Sequence, residues 1–236
     1  MSLKKSFIAL SLFAPVALAA APVTPPNRAA IEAIVHNYII THPEVITEAV
    51  QVLEARKQAK AIGENRATIE APWGHAWEGD PHGDVTLVEF FDYNCGYCRA
   101  SVADVKRLLA EDKHLKVVYR EIPVLGAESV TAAMSSLALA TKAGPWPQLH
   151  RAIYAGGDAS PEGIATAAKA SGYALPSDAD LKAAPIQGEI ESNRALAQRL
   201  GFGGTPSWVV GDRTLDGAVG YNALKAAIAD ARRQAH

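Results

Sequence analysis

The chain has 236 residues, 49% apolar and 20% charged, so it can bury a sizeable core and is too apolar for wholesale disorder. Its 23 basic residues nearly balance 25 acidic ones, for a formal charge of −2, and no basic cluster would hold a phosphate backbone, so nucleic acid is not an expected partner. The length suits one medium-sized domain with accessories, on a prior of about 100 to 200 residues per domain.

The N-terminus has the three parts of an export signal: Lys4 and Lys5, an apolar stretch from Phe7 to Leu18, and small residues at Ala17-Leu18-Ala19. Pro15 and a length short of the ~20 apolar residues of a spanning helix argue against a membrane anchor, and no cysteine follows that would carry a lipid. Residues 1–20 are therefore expected to be a cleaved signal peptide, and the mature protein to work in an oxidising exported compartment.

Residues 21–70 are expected to form a helical arm. Past a proline-containing linker, Ile31, Ile34, Val35 and Tyr38 follow the spacing of one helix face. Thr41-His42-Pro43-Glu44 combines a hydroxyl, an early proline and a glutamate as start signals for a second helix with Val45, Ile46, Ala49 and Leu53 on its stripe. From Glu54 to Arg66 the pattern is mostly charged. Such stripes must be covered, either by the chain's own main domain or by the same arm of another subunit in a homo-oligomer.

From about residue 71 the pattern changes. Val85-Thr86-Leu87-Val88-Glu89-Phe90-Phe91 is short, rich in β-branched and aromatic residues and preceded by a turn at His82-Gly83-Asp84, as for a strand covered on both faces. Glu89 does not fit such a run: a carboxylate there is either exposed, with a lysine to satisfy it, or buried with a raised pKa and a task. Asp92 to Asn94 offer capping side chains, and a helix is expected to follow with Cys98, Val102, Val105 and Leu109 inward.

Cys95 and Cys98 are the chain's two cysteines. Cys95 lies at the expected helix start, where unpaired N–H groups and the positive end of the dipole favour a thiolate, and Cys98 lies one turn further in. A structural disulfide over so short a loop constrains the unfolded chain little. Structural zinc generally takes four ligands, and no other cysteine and no spaced histidine pair completes the set. A redox-active dithiol, with Cys95 attacking and Cys98 resolving, needs only what is present, uses neither metal nor cofactor, and is the favoured reading.

Leu115 to Ile122 reads as a second strand. Alanine-rich helical segments occupy the stretch from Ala127 to Leu200: one with Val130, Met134 and Leu137, one after Pro147, one after Ser160-Pro161 and one from Leu181 to Leu200, stopped by Gly201. Ser207 to Val210 and Arg213 to Leu215 flank Gly211-Asp212 as a hairpin, and a last helix carries Leu224, Ala227, Ile228 and Ala231 on one face.

The run Val88-Glu89-Phe90-Phe91-Asp92-Tyr93-Asn94-Cys95-Gly96-Tyr97-Cys98, with Gly204-Thr205-Pro206 leading into a strand, resembles the DsbA family of exported thiol-disulfide oxidoreductases over about Trp73 to Arg233. The resemblance implies an α/β thioredoxin fold in residues 71–236, with a helical domain inserted at about 126–203. It further implies a cis bond before Pro206, packed against the active-site sulfurs, and client contacts from Thr205 and Pro206, beside Gly96 and Tyr97. Tyr93 and Trp208 could add apolar contact, although such residues more often simply pack. Acidic residues occur in related proteins six positions before the first cysteine, which gives Glu89 the role of proton acceptor for Cys98.

The arm with His42-Pro43-Glu44-Val45-Ile46 resembles the Com1-like and ScsC-like subgroup, some of whose members oligomerise through such arms. Well-known oxidases of the family carry Pro-His between the cysteines, whereas Gly96-Tyr97 and Thr205 are similar to disulfide isomerases. A neutral Tyr97 supplies no positive charge for the thiolate, although the helix dipole remains and Arg99 could contribute. The site is thus expected to be less oxidising, leaning to isomerase or reductase, with a DsbA-like oxidase as the alternative. Implied partners are client protein thiols and disulfides and a DsbB-like or DsbD-like redox protein of the inner membrane, with the protein itself in the periplasm. A more distant alternative is a chaperone or scaffold whose cysteines are incidental.

Overall fold

The computed structural model describes residues 27–234, so the expected signal peptide and most of the linker lie outside the described residues. Asn27 accepts the Ala29 N–H and starts helix α1 (Arg28–Thr41), and helix α2 (Glu44–Glu70) follows after His42 and Pro43. The chain divides into two compact units between Ala49 and Val50, inside α2. In α1 no residue is buried, and Ile34 is 69% exposed. The last turns of α2 behave differently: Ile62 and Ile69 are fully buried in a cluster with Val88, Phe90, Val118 and Val209. Among the described residues, no helix is long and apolar enough to cross a membrane.

The central sheet has five strands: β1 (Trp77–Gly79), β2 (Val85–Phe91), β3 (Leu115–Glu121), β4 (Ser207–Val210) and β5 (Arg213–Asp216). Their order is β1-β3-β2-β4-β5. β2 and β3 pair in parallel from Val85 opposite Leu115 to Phe91 opposite Glu121, and the other pairs are antiparallel. The crossover between the parallel strands is helix α3 (Gly96–Glu111), which supplies the length that a parallel connection requires. Five further helices intervene between β3 and β4: α4 (Ala127–Ala140), α5 (Trp146–Gly156), α6 (Pro161–Ala170), α7 (Asp178–Leu181) and α8 (Ala184–Arg199). Helix α9 (Gly220–Gln234) closes the described chain.

Alternation along the strands separates two cores. Leu87, Phe91, Val117, Tyr119 and Trp208 join side chains of α3, α5 and α9, including Val105, Leu149 and Leu224. Val88, Phe90, Val118 and Val209 point the other way, towards the end of α2 and Leu196 of α8. β2 is thus covered on both faces, as its continuous apolar run predicts. The helix expected over Leu181 to Leu200 is instead two, because Pro185 sits in the first turn of α8, where a missing N–H costs nothing. β1 has only three residues and no readable alternation, so its sequence carried no strand signal.

Candidate active site

The turn from β2 into α3 is built by side chains in roles that composition does not announce. Cys95 itself is the N-cap of α3, and its Sγ accepts the Cys98 N–H at 3.3 Å. The thiol therefore takes the place that the sequence reading gave to Asp92 to Asn94. Asp92, buried at the end of β2, ties the surrounding loops: Oδ1 accepts from Asn94 N–H at 2.8 Å, and Oδ2 accepts from the N–H groups of Val124 and Leu125 at 2.8 and 3.0 Å. The Asp92 carbonyl in turn accepts from Cys95 N–H and from the Tyr154 hydroxyl, each at 3.0 Å.

Both cysteines are buried and carry free thiols. The Cys95 thiol donates to the Thr205 carbonyl at 3.2 Å, and the bond between Thr205 and Pro206 is cis, so two segments 110 residues apart meet at this sulfur. Cys98 is fully enclosed at the first turn of α3. Burial pushes the Cys98 thiol well up from its ordinary range, and the nearby Glu89 carboxyl pushes it further. The inward stripe of α3 is Cys98, Ser101, Val105 and Leu108, with Val102 and Leu109 only partly buried beside it.

Glu89 lies on the core face of β2, between Tyr119 of β3 and Trp208 of β4, and is only 2% exposed. Among the described residues, no lysine pairs with it, and it is buried rather than drawn to the surface. Burial raises its pKa well above the usual carboxylate range, and the neighbouring charges of Cys95 and Glu78 add to that. A carboxyl held protonated and electrostatically coupled to the inner cysteine is chemically fit to exchange a proton with it.

The other anticipated positions divide by exposure. Tyr97 is 71% exposed, and Gly96 faces open space beside it. Pro206 is buried and Thr205 partly so. Tyr93 and Trp208 are core side chains: the Tyr93 hydroxyl bonds Ser136 Oγ at 2.9 Å and His150 Nδ1 at 3.3 Å, and Trp208 Nε1 donates to the Gly217 carbonyl at 3.0 Å. Arg99 is engaged with the Gly157 carbonyl at 3.1 Å. Val124 and Leu125 are exposed next to the dithiol turn, and no local signal marks them, because what brings them there is the distant Asp92 carboxylate. Among the described residues, no three His, Cys, Asp or Glu side chains are placed to hold a metal ion.

The model of the DsbA-like thioredoxin domain matches residues 86–229, which is more than half of the chain. The chain belongs to the DsbA-like thioredoxin family. The N-terminal domain model of the copper resistance protein ScsC matches residues 27–60 of this DsbA-like protein. A thioredoxin-like oxidoreductase from Silicibacter pomeroyi DSS-3 is 39% identical, covering 66% of this chain and 91% of its own, with a TM-score of 0.61. The thiol-disulfide exchange protein alpha-DsbA2 from Wolbachia pipientis is 28% identical over 75% of this chain and 96% of its own, with a TM-score of 0.65. A linker-deletion mutant of ScsC from Proteus mirabilis, 24% identical, shares the fold over 91% of this chain and 99% of its own, with a TM-score of 0.67. No curated protein matches the chain. The fold is that of the DsbA and ScsC thiol-disulfide oxidoreductases, and membership in this DsbA-like family supports oxidoreductase activity.

Proposed function

We propose that this protein is an exported thiol-disulfide oxidoreductase that works on client proteins through Cys95 and Cys98, leaning to isomerase and reductase activity. The observation that carries the reading is the Cys95 thiol, which caps α3, receives the Cys98 N–H and touches the Thr205 carbonyl. A sulfur so held is reached from outside past Gly96, Tyr97 and the loop before Pro206, while Cys98 stays enclosed.

In the reducing direction the Cys95 thiolate attacks a client disulfide, the client's S–S bond breaks, and one client sulfur leaves as a thiolate. Glu89, once it has released its own proton towards solvent, takes the Cys98 proton, and the Cys98 sulfur attacks Cys95 Sγ. The Cys95–Cys98 bond forms and the second client sulfur leaves. Isomerisation stops short of that last step whenever a client thiolate displaces Cys95 itself. The oxidising direction is the reverse. Backbone groups flanking Pro206 are the proposed edge on which an extended client segment pairs. Tyr97, Val124 and Leu125, exposed around the dithiol, suit apolar residues next to the client cysteine.

The lean towards isomerisation rests on the neutral Gly96-Tyr97 dipeptide, which adds no charge to stabilise the reduced form, and on the arm. Exposed Ile34, Val35, Tyr38, Ile46 and Leu53 suit burial against the same arm of other subunits, which would hold several dithiols around one client and raise their effective concentration. Export to the periplasm and a DsbB-like or DsbD-like partner are part of the same proposal. Reactivation of scrambled ribonuclease tests the reading: wild-type protein restores activity and Cys95→Ser does not. Client protection by Cys95→Ser equal to wild type, with no turnover by either, would favour the scaffold reading instead. Equilibration with glutathione buffers decides direction, and a potential at or above that of DsbA would overturn the isomerase lean.

A further inference from the structure

Glu89 does not stand alone on its face of the sheet. Strand register places it beside Tyr119 of β3, and Glu78 of the edge strand β1 lies opposite Val117, two residues along the same face. The three side chains form a row running from the central strand outward to the edge. At its outer end the Tyr119 hydroxyl donates to Glu78 Oε1, and Arg151 of α5 pairs with Glu78 Oε2 at 2.6 Å. The Glu78 side chain is 14% exposed and that of Arg151 34%, so this end of the row touches water while Glu89 does not.

We propose that Glu78, fixed by Tyr119 and Arg151, is a positioning residue that sets when Glu89 accepts and gives up the Cys98 proton. The inference rests on the role of Glu89 in mixed-disulfide release. A negative charge held at the wet end of the row opposes a second negative charge at the buried end, so Glu89 keeps its proton to higher pH than burial alone requires. Burial, then Cys95, then Glu78 is the order of the effects that raise Glu89. The other groups facing Glu89 are Cys98 on α3, Tyr93 in the turn, Tyr119 on β3 and Tyr154 on α5, all raised and protonated at neutral pH, with His150 of α5 held neutral behind them. Glu78 is then the carboxylate of the row that is paired with a cation, and Arg151 holds it in place on a strand too short to hold it by packing.

The balance of the step is simple. The Cys98 S–H bond breaks, its proton goes to the ionised form of Glu89, and the sulfur's electron pair forms the bond to Cys95 Sγ as the client thiolate leaves. Glu89 afterwards returns the proton towards solvent, and no electron passes through Glu78.

The test is the pH profile of client release from a preformed mixed disulfide at Cys95, followed in wild type, Glu78→Gln, Glu78→Asp and Glu89→Gln. The amide of Glu78→Gln still accepts from Tyr119 but carries no charge. It is expected to move the acidic limb to lower pH, with release at about pH 6 faster by roughly three- to tenfold, as one pKa unit is tenfold in ionised fraction. Glu78→Asp keeps the charge and is expected to restore the wild-type limb. Profiles of Glu78→Gln and wild type that superimpose, while Glu89→Gln is altered, overturn this inference and leave the role of Glu89 intact. A Glu89→Gln profile identical to wild type overturns the parent reading and this inference with it. Equal shifts in Glu78→Gln and Glu78→Asp assign Glu78 a purely structural role and also overturn the inference.

Discussion

Glu121 closes β3 with Oε1 accepting from Ser136 Oγ at 2.7 Å, while Oε2 has no partner among the described residues, and burial lifts its pKa from the usual 4.5 to about 8. Nearby His150, stacked on Trp146, is pushed by burial from 6.5 down to about 3. The two act on stability with opposite signs. Unfolding lets His150 bind a proton below 6.5 that the native state refuses, so stability rises with pH between about 3 and 6.5. Unfolding lets Glu121 lose a proton above 4.5 that the native state keeps, so stability falls with pH between 4.5 and about 8, and Glu89 adds to that fall. Urea unfolding across pH should therefore show greatest stability near pH 4.5 and a decline above it that steepens beyond about 6.5, where His150 no longer opposes the two carboxyls. Glu121→Gln should flatten the decline, gaining roughly 1–2 kcal/mol at about pH 8 and little at about pH 5. Glu89→Gln should slow client release from the mixed disulfide by on the order of tenfold or more, read by quenched thiol alkylation.

At the scale of elements, two buried polar side chains fasten pieces that their neighbours in sequence do not. Asp92 holds the loop at Val124 and Leu125 against the dithiol turn. Asp92→Ala removes the acceptor of three N–H groups, those of Asn94, Val124 and Leu125, and should cost about 2–3 kcal/mol, with faster amide exchange at 124 and 125. Arg120, 3% exposed on β3, donates through Nε to the Ile69 carbonyl at 2.9 Å and through its terminal nitrogens to the carbonyls of Thr68 and Ala71. It also reaches Glu189 at 3.0 Å and Asn193 at 2.7 Å on α8. Arg120→Met strands the end of α2 and the Glu189 carboxylate, and should cost about 3–5 kcal/mol in chemical denaturation. Neither residue's role could be read in the chain, because each acts through backbone groups tens of residues away. The strand-turn-helix around Cys95 was legible because apolar run, small turn residues and cysteine spacing are local signals. That Cys95 caps its own helix was not, since a thiol is a rare cap and the hydroxyl and carboxylate formers beside it are the usual ones.

At the scale of the whole molecule, the sequence located the helical segments between the two halves of the sheet but not how α2 divides its labour. Its charged stretch from Glu54 to Arg66 hides Ile62, and the last turn beyond it carries Ile69; both read as isolated, incidental apolar residues and both are completely buried. Ile69→Ala should cost about 2–5 kcal/mol, whereas Ile34→Ala should leave the unfolding of an isolated chain nearly unchanged. A truncation intended to remove self-association should begin near Val50, because one that begins near Trp73 strips Ile62 and Ile69 from the core. Light scattering should then give a multiple of the chain mass for the mature protein and the single mass for the truncated one.

The most direct measurement is trapping: Cys98→Ala and Cys95→Ser proteins are each incubated with a disulfide-bonded client, quenched with acid and alkylating agent, and resolved without reductant. Cys98→Ala should accumulate a covalent complex joined through Cys95 that dithiothreitol dissolves, and Cys95→Ser should accumulate none. Equal trapping by the two variants, or none by Cys98→Ala, would contradict the division of labour between an outer attacking sulfur and an enclosed resolving one.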